Sequence, residues 1–325
     1  MARVLVVGGA GYVGGAVTDK LQELQHSVRV YDALVYEESY RKPVDFVYGD
    51  VRDEERLTAQ LRWADVVVWL AAIVGDGACG LNSKLTAEIN EQSVRRMAER
   101  FDGRIILTST CSVYGANKDL LHEQSPVNPL SLYAQTKLQA EKHLAEKEAV
   151  IFRLGTLFGV GDAFSRIRMD LVLNVLTAKA FAYNRISVFG GNQYRPLLHV
   201  RDAAEMIASQ IDTPHCGIFN LHSANIRICD LAEQLLAHFP RLQVQNTEAR
   251  FQDERDYKVC SDKAARTLGF APKYSVEEGI REVKGLLEAG RVKSIAFLRQ
   301  SNHRYLREFL EMPSSPLGCE LPLPV

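Results

Sequence analysis

Tyr133 and Lys137 stand four residues apart in LYAQTK (Leu132–Lys137), within a stretch whose pattern predicts a helix over Leu130–Glu148. Residues four apart share one helix face. A phenol titrates near ~10 and is a poor base at neutral pH, but a neighbouring ammonium, together with a positively charged oxidised nicotinamide, favours its phenolate. Such a tyrosine can take the proton of an alcohol while hydride leaves the same carbon. Thr110, in TSTCSVYG (Thr108–Gly115), is the candidate to hold and orient that alcohol. A Tyr-x-x-x-Lys pair alone occurs by chance in many helices, and its weight here comes from what precedes it.

Hydride needs an acceptor, and the first residues, MARVLVVGGAGYVGGAV, suggest one. Val4–Val7 reads as a strand and a helix begins near Tyr12. Gly8 permits the tight turn between them, Gly11 lets a phosphate approach the backbone, and Gly14 lets the helix pack close to the sheet. The helix N-terminus, with Tyr12 and Val13 in its first turn, presents free N–H groups and a partial positive charge to a diphosphate. Asp32 ends the second strand. A carboxylate there can bind both hydroxyls of an adenosine ribose and repels a 2′-phosphate, which points to NAD over NADP, although Arg41 and Lys42 are nearby. In GDVRD (Gly49–Asp53), Asp50 is placed to meet the adenine amino group. Equally, an Asp here caps the helix starting near Glu54.

These residues need a scaffold, and the first half of the chain reads as one. Strand-like runs at Val4–Val7, Val28–Tyr31, Phe46–Tyr48, Val66–Leu70, Ile105–Ser109 and Val150–Leu154 alternate with helical stretches at Val13–Gln25, Glu54–Arg62, Leu85–Arg100 and Leu130–Glu148. Short, fully apolar strands separated by helices imply an α/β fold with a doubly wound parallel sheet of the Rossmann type. The pattern changes after Gly159. The reading is a dinucleotide-binding domain over residues 1–160, completed by about 195–222, and a smaller C-terminal α/β substrate domain over 161–194 and 223–311. Helical character continues through Ile295–Glu311, and residues 312–325, rich in proline, form an irregular tail.

Composition sets the outer bounds. The 325 residues carry a formal net charge of −1, with 46% apolar and 24% charged residues, so nothing suggests a general nucleic-acid binder, and any anionic ligand must be held by local cations. The six cysteines include no Cys-x-x-Cys pair, so neither a metal site nor a disulfide framework is expected. The longest apolar run, Val66–Val74, is too short to span a bilayer, and the opening glycines argue against a signal peptide. A cytoplasmic protein without membrane partners is expected.

Taken together, GGAGYVG, Asp32, GDVRD, Leu70–Ala72, TxxVYG ending at Gly115, YAQTK, FRLGTLFG (Phe152–Gly159), RPLLHVRDAA (Arg195–Ala204) and ERDYKV (Glu254–Val259) resemble the extended short-chain dehydrogenases/reductases, in their NAD-dependent nucleotide-sugar epimerase/dehydratase branch. The resemblance spans roughly Val4 to Val283. It implies Thr110, Tyr133 and Lys137 as the catalytic set. It implies NAD contacts from Gly8, Gly11, Tyr12, Val13, Gly14, Asp32, Asp50, Val51, Leu70, Ala71, Ala72, Tyr133 and Lys137. Asn90 matches a family Asn near the active site and joins these NAD contacts, with a structural role equally open. Arg195 and Arg255 fall where the family holds a diphosphate with arginine. Thr156 replaces a common family Asn that contacts the diphosphate or sugar, and Arg166, Arg168 and Asn174 lie on the variable substrate segment, Thr156, Arg168 and Asn174 being further substrate-binding candidates. The implied partners are a nucleotide-diphosphate sugar and a second copy of the chain, the homodimer forming through the helices Leu85–Arg100 and Leu130–Glu148.

The resemblance also narrows the reaction. Members that dehydrate the sugar carry Asp-Glu directly after the Thr, where this chain has Cys111 and Ser112. Members that epimerise C3 or C5 use a Cys where Ser112 stands, and Cys111, one place off, reads as a packing residue. What remains is redox at a single carbon, most often C4. A 4-epimerase returns the hydride to the other face, and a dehydrogenase releases the keto sugar. LAAIVGDGACGLNSKLTAEIN and DERDYKV resemble a bacterial subgroup that includes a GDP-heptose 4-dehydrogenase as well as epimerases, so both outcomes stay open. The intact Thr110, Tyr133 and Lys137 argue against a non-catalytic NAD-binding protein. His199 reads as a structural hydrogen-bonder.

Overall fold

The computed structural model describes residues 1–164, 166–247, 255–292 and 300–311. Seven parallel strands form the central sheet: β1 (Arg3–Val7), β2 (Ser27–Asp32), β3 (Asp45–Tyr48), β4 (Val66–Trp69), β5 (Arg104–Thr110), β6 (Ala149–Leu154) and β7 (Gly217–Leu221). Their spatial order is β7-β6-β5-β4-β1-β2-β3. The order reverses between β1 and β4, and in such sheets a crevice opens at the carboxyl ends of the strands on either side of the reversal.

Alternate residues feed two cores. Leu5, Val7, Val67, Trp69, Ile105 and Leu107 face one helical layer, and Val4, Val6, Val68, Ile106, Val150 and Phe152 face the other. Burial on both faces is why these strands read as unbroken apolar runs. The flanking helices include α1 (Tyr12–Glu23), α2 (Glu54–Leu61), α3 (Ser93–Arg100) and α4 (Leu132–Lys142).

Two helices differ from their sequence pattern. The stretch read as one helix over Leu85–Arg100 is a helix at Ser83–Ala87, a π-helical turn at Glu88–Gln92, and then α3. The widened turn brings Asn90 inward, where its side chain accepts from the Ile73 amide (2.8 Å) and donates to the Ile73 carbonyl (2.9 Å). Helix α4 is shorter than Leu130–Glu148 because the Ser131 side chain caps its start, accepting from the Ala134 amide, and the chain turns after His143.

Past Gly155 the chain builds a second, smaller α/β layer. Thr156–Phe158, Tyr194–His199 and Ala224–Arg227 form a three-stranded sheet, and Arg185–Phe189 pairs with Gln243–Thr247. Helices α5 (Val172–Tyr183), α7 (Ile228–His238) and α8 (Val276–Glu288) pack there around Phe158, Leu173, Leu197, Leu231 and Ile280. Between them, α6 (Val200–Ser209) packs on α1 and leads the chain back to the main sheet at β7. A last helix, α9 (Asn302–Glu311), buries Leu306 in the core that holds Trp69. The first part of the helix expected over Ile295–Glu311 and the tail at 312–325 lie outside the described residues. Among the described residues, no helix is long and apolar enough to cross a membrane, and no cluster of His, Cys, Asp and Glu could hold a metal ion.

Candidate active site

A cavity of about 660 Å³ opens at the carboxyl ends of β1, β4, β5 and β6, roofed by the second layer. Its floor begins with the glycine-rich turn. Gly8 has φ +86°, and a Cβ there would stand 2.5 Å from the Ala71 amide nitrogen. A Cβ on Gly14 would stand 2.5 Å from Gly9 Cα. Both positions exclude side chains for reasons internal to the fold. Gly11 is different. Its φ of −77° suits any residue, and an added Cβ would meet only the Gly8 carbonyl oxygen, at 3.4 Å. Its bare backbone faces open space at the start of α1.

Asp32 stands at the end of β2 and lines the same cavity. Its oxygens accept from the amides of Ala10 (3.0 Å) and Leu34 (2.7 Å). Burial raises its carboxyl above the usual carboxylate range, against the pull of those two amides. Lys42 does not stand beside it as a cation for a phosphate, since its ammonium is taken up by the Gly15 carbonyl (2.5 Å), Asp19 (2.6 Å) and Asp162 (2.5 Å). The two aspartates of GDVRD divide the work proposed for either. Asp53 caps α2, accepting from the Arg56 amide (3.0 Å), and Asp50 lines the cavity while paired with Arg52 (2.8 Å). Tyr12, Val13, Val51, Leu70, Ala71 and Ala72 complete this wall.

Thr110 is the last residue of β5 and caps a short 3₁₀ turn, Cys111–Tyr114, its hydroxyl oxygen accepting from the Ser112 amide (3.1 Å). Tyr133 and Lys137 reach the cavity from α4. Burial is the largest influence on the Tyr133 phenol and raises it, with Cys79 and Asp76 adding to the rise, while Arg168 and the Thr110 hydroxyl pull it down. Burial pushes the Lys137 ammonium down to about 8, against the attraction of Glu141. In the protein alone, desolvation is thus the largest influence on both the phenol and the ammonium.

Lys137 is 2% exposed, and no described residue bonds to its ammonium. Buried polar groups in native proteins are satisfied. A buried ammonium without an acceptor among the described residues, a half-buried carboxylate holding two backbone donors, and a bare backbone at a helix start fit the ribose hydroxyls and diphosphate of a dinucleotide.

Asn90 and Asn174 do not line the cavity, which corrects their reading as ligand contacts. Asn90 is fully buried and also donates to Thr136 on α4 (3.3 Å), fastening the loop after β4 to the helix that carries Tyr133 and Lys137. Asn174 is spent on Gly159 and on the Arg168 carbonyl. Thr156, Arg168, Arg195 and Arg255 do line it, as does Arg166. The Arg195 guanidinium donates to the carbonyls of Tyr194 (2.8 Å) and Arg255, and Arg255 lies 3.4 Å from Ser112 Oγ and 3.6 Å from Asp76. Cys111 is fully buried with its thiol on the Arg153 carbonyl, and burial pushes that thiol well up, as befits packing. His199 bonds the Arg201 amide and Glu282 (2.9 Å), and burial pushes it down to about 4.

Several lining residues escape sequence reasoning: Tyr36, Tyr257, Asn302 and Leu306. Tyr257 lies within ERDYKV, and its approach to Ser112 crosses two layers of the fold. Asn302 comes from α9, with no motif to mark it.

Residues 4–221 match the NAD dependent epimerase/dehydratase family. The chain is 25% identical over 303 residues to a putative UDP-glucose 4-epimerase of Methanocaldococcus jannaschii, covering 86% of this chain and 96% of that one. It is 27% identical to a dTDP-glucose 4,6-dehydratase of Shigella flexneri, covering 86% and 91%. The fold is similar to that of the UDP-glucose 4-epimerase of Thermotoga maritima, with a TM-score of 0.79 at 22% identity, covering 89% of this chain and all of that one.

Proposed function

The chain belongs to the NAD-dependent epimerase/dehydratase family, and on that premise we propose that it performs redox chemistry at one carbon, C4, of a nucleotide-diphosphate sugar, epimerising it through a keto intermediate. The observation that carries this reading is the convergence of Thr110, Tyr133 and Lys137 on one cavity with the Gly8–Gly14 turn and Asp32. Bound NAD supplies a hydride acceptor that can return what it takes. The chain's own residues do the rest. The turn and Asp32 hold the diphosphate and the adenosine ribose, and Lys137 takes ribose hydroxyls. Thr110 orients the sugar hydroxyl, and Tyr133 accepts its proton and later gives it back.

Ser112 supports the restriction to one carbon. It stands with Cys111 where the dehydrating members carry Asp-Glu, so the carboxyl groups needed to remove a C5 proton and protonate a leaving hydroxyl are absent from that position, and its hydroxyl instead meets that of Tyr257. Arg195, Arg255 and Thr156 are proposed to hold the substrate diphosphate, and residues 161–194 and 223–311 to form the substrate side. A homodimer through the helices at 83–100 and α4 belongs to the same proposal, with sedimentation as its check.

Incubation with UDP-, GDP-, CDP- and dTDP-sugars tests the reaction. Epimerisation gives a new stereoisomer without net NADH. A keto sugar accumulating with stoichiometric NADH assigns the dehydrogenase outcome instead, and an inert enzyme with all four series removes the proposal.

A further inference from the structure

Arg168 is tied to the cofactor wall by a chain of hydrogen bonds. The Tyr12 hydroxyl, from the first residue of α1, donates to the Gly159 carbonyl (2.8 Å). The Gly159 amide donates to Asn174 Oδ1 (3.0 Å), and Asn174 Nδ2 donates to the Arg168 carbonyl (2.8 Å). Asn174 is wholly buried, so this clamp is dry and rigid. It fixes the Arg168 loop of the second layer against the helix start that follows the glycine-rich turn.

The side chain is held as firmly. Arg168 Nε donates to Asp170 Oδ1 (2.6 Å), and the other Asp170 oxygen accepts from the Asn302 amide (2.8 Å). Asn302 also donates to the Val74 carbonyl (2.8 Å), so α9 locks the arrangement to the loop after β4. A guanidinium carries five N–H donors. Asp170 takes one, and no described residue takes the η nitrogens of Arg168, whose side chain is 11% exposed and lines the cavity. Its charge is felt at both Tyr12 and Tyr133, which brackets it between the glycine-rich turn and the reacting end of the site.

We propose that Arg168 is a ligand of the dinucleotide's diphosphate, reaching across the cavity from the second layer, and that Asn174 is its positioning residue. This rests on the dinucleotide reading above and departs from the assignment of Arg168 and Asn174 to the sugar nucleotide. A diphosphate occurs in both ligands, and neighbours separate them: Arg195 and Arg255 lie together beside Ser112 and Asp76, whereas Arg168 is tied through Asn174 and Gly159 to the first residue of α1. The α1 amides and Arg168 then grip one diphosphate from two sides, and the cofactor is enclosed by residues from both layers.

Calorimetric titration of the cofactor-stripped full chain with NAD, ADP-ribose, UDP and GDP tests this without turnover. Arg168→Gln is expected to weaken NAD and ADP-ribose by about tenfold or more, the scale of a lost charge-assisted pair, and to leave UDP and GDP within about twofold. Asn174→Ala is expected to weaken ADP-ribose less than Arg168→Gln does. Arg168→Lys, which keeps the charge and loses the fork, should recover part of the loss, and it carries the comparison if the Gln variant does not fold. A loss confined to UDP or GDP, an equal loss for all ligands, or no loss overturns the proposal. If the wild-type chain binds neither UDP nor GDP, the sugar-nucleotide reading loses its support while the ADP-ribose measurement still decides Arg168.

Discussion

Ser112 Oγ lies 3.3 Å from the phenol oxygen of Tyr257, joining the turn after β5 to a strand-forming segment 145 residues further on. Burial raises the Tyr257 phenol, so the pair remains two neutral hydroxyls. Tyr257→Phe leaves Ser112 with Arg255 as its side-chain partner. The expected stability loss is about 1 kcal/mol, the worth of one neutral hydrogen bond, read from the denaturant midpoint. The variant should form no 4-keto-6-deoxy product from any sugar nucleotide, as should the wild type. Detection of that product in the wild type would contradict the role given to Ser112.

Gly11→Ala and Gly14→Ala should separate binding from folding. The Gly11 Cβ has room and an ordinary φ, so the variant folds like the wild type but loses about tenfold or more in NAD affinity, roughly 1.4 kcal/mol. The Gly14 Cβ collides with backbone, so that variant loses about 3 kcal/mol or more of stability. Thermal melts beside NAD titrations check both, and equal melting temperatures for the two would refute the distinction.

Tyr133→Phe removes the proposed proton acceptor and should cut kcat by about 10²–10⁴ while NAD affinity changes little. Retained turnover would take Tyr133 out of the reaction.

Lys137 gives a prediction of the opposite sign for stability. Its folded-state value, about 8, lies below the ordinary lysine value, so between about pH 8 and 10.5 the unfolded chain binds more protons. Stability of the cofactor-free protein should rise with pH across that window. At neutral pH the buried ammonium is a cost, and Lys137→Met should be more stable than the wild type by up to about 3 kcal/mol. The same variant should bind NAD more weakly. Denaturant titrations at pH 7 and 9.5 provide the check, and a Met variant less stable than the wild type at pH 7 would show that the ammonium has a protein partner.

Asp32→Ala should weaken NAD and narrow its advantage over NADP. Because Lys42 is held by Asp19 and Asp162, it is not released to bind a 2′-phosphate, so the variant should not become NADP-selective through it. Affinities for the two dinucleotides, measured for Asp32→Ala and for Asp32→Ala/Arg41→Ala, decide the point, and an NADP preference that survives loss of Arg41 would mean that Lys42 leaves its pairs.

The sequence by itself determined whatever depends on neighbours along the chain. The apolar strands, the glycines of the first turn, Asp32 at a strand end and the Tyr133–Lys137 spacing are local features, and local geometry fixes their consequences. The family pattern could be read for the same reason. Tertiary structure decided what depends on partners far apart in sequence. Asn90 read as a ligand contact from the family pattern, and Asn174 from its place on the variable substrate segment. Packing instead gave them to Ile73 and Gly159, since a buried amide takes the nearest backbone groups available. Spacing likewise put Tyr133 and Lys137 on one helix face, but the burial that raises the Tyr133 phenol comes from the assembled layers. The alignment of Arg168 with the start of α1 also comes only from the fold, because it runs through Gly159, Asn174 and α9, which no sequence interval brings together.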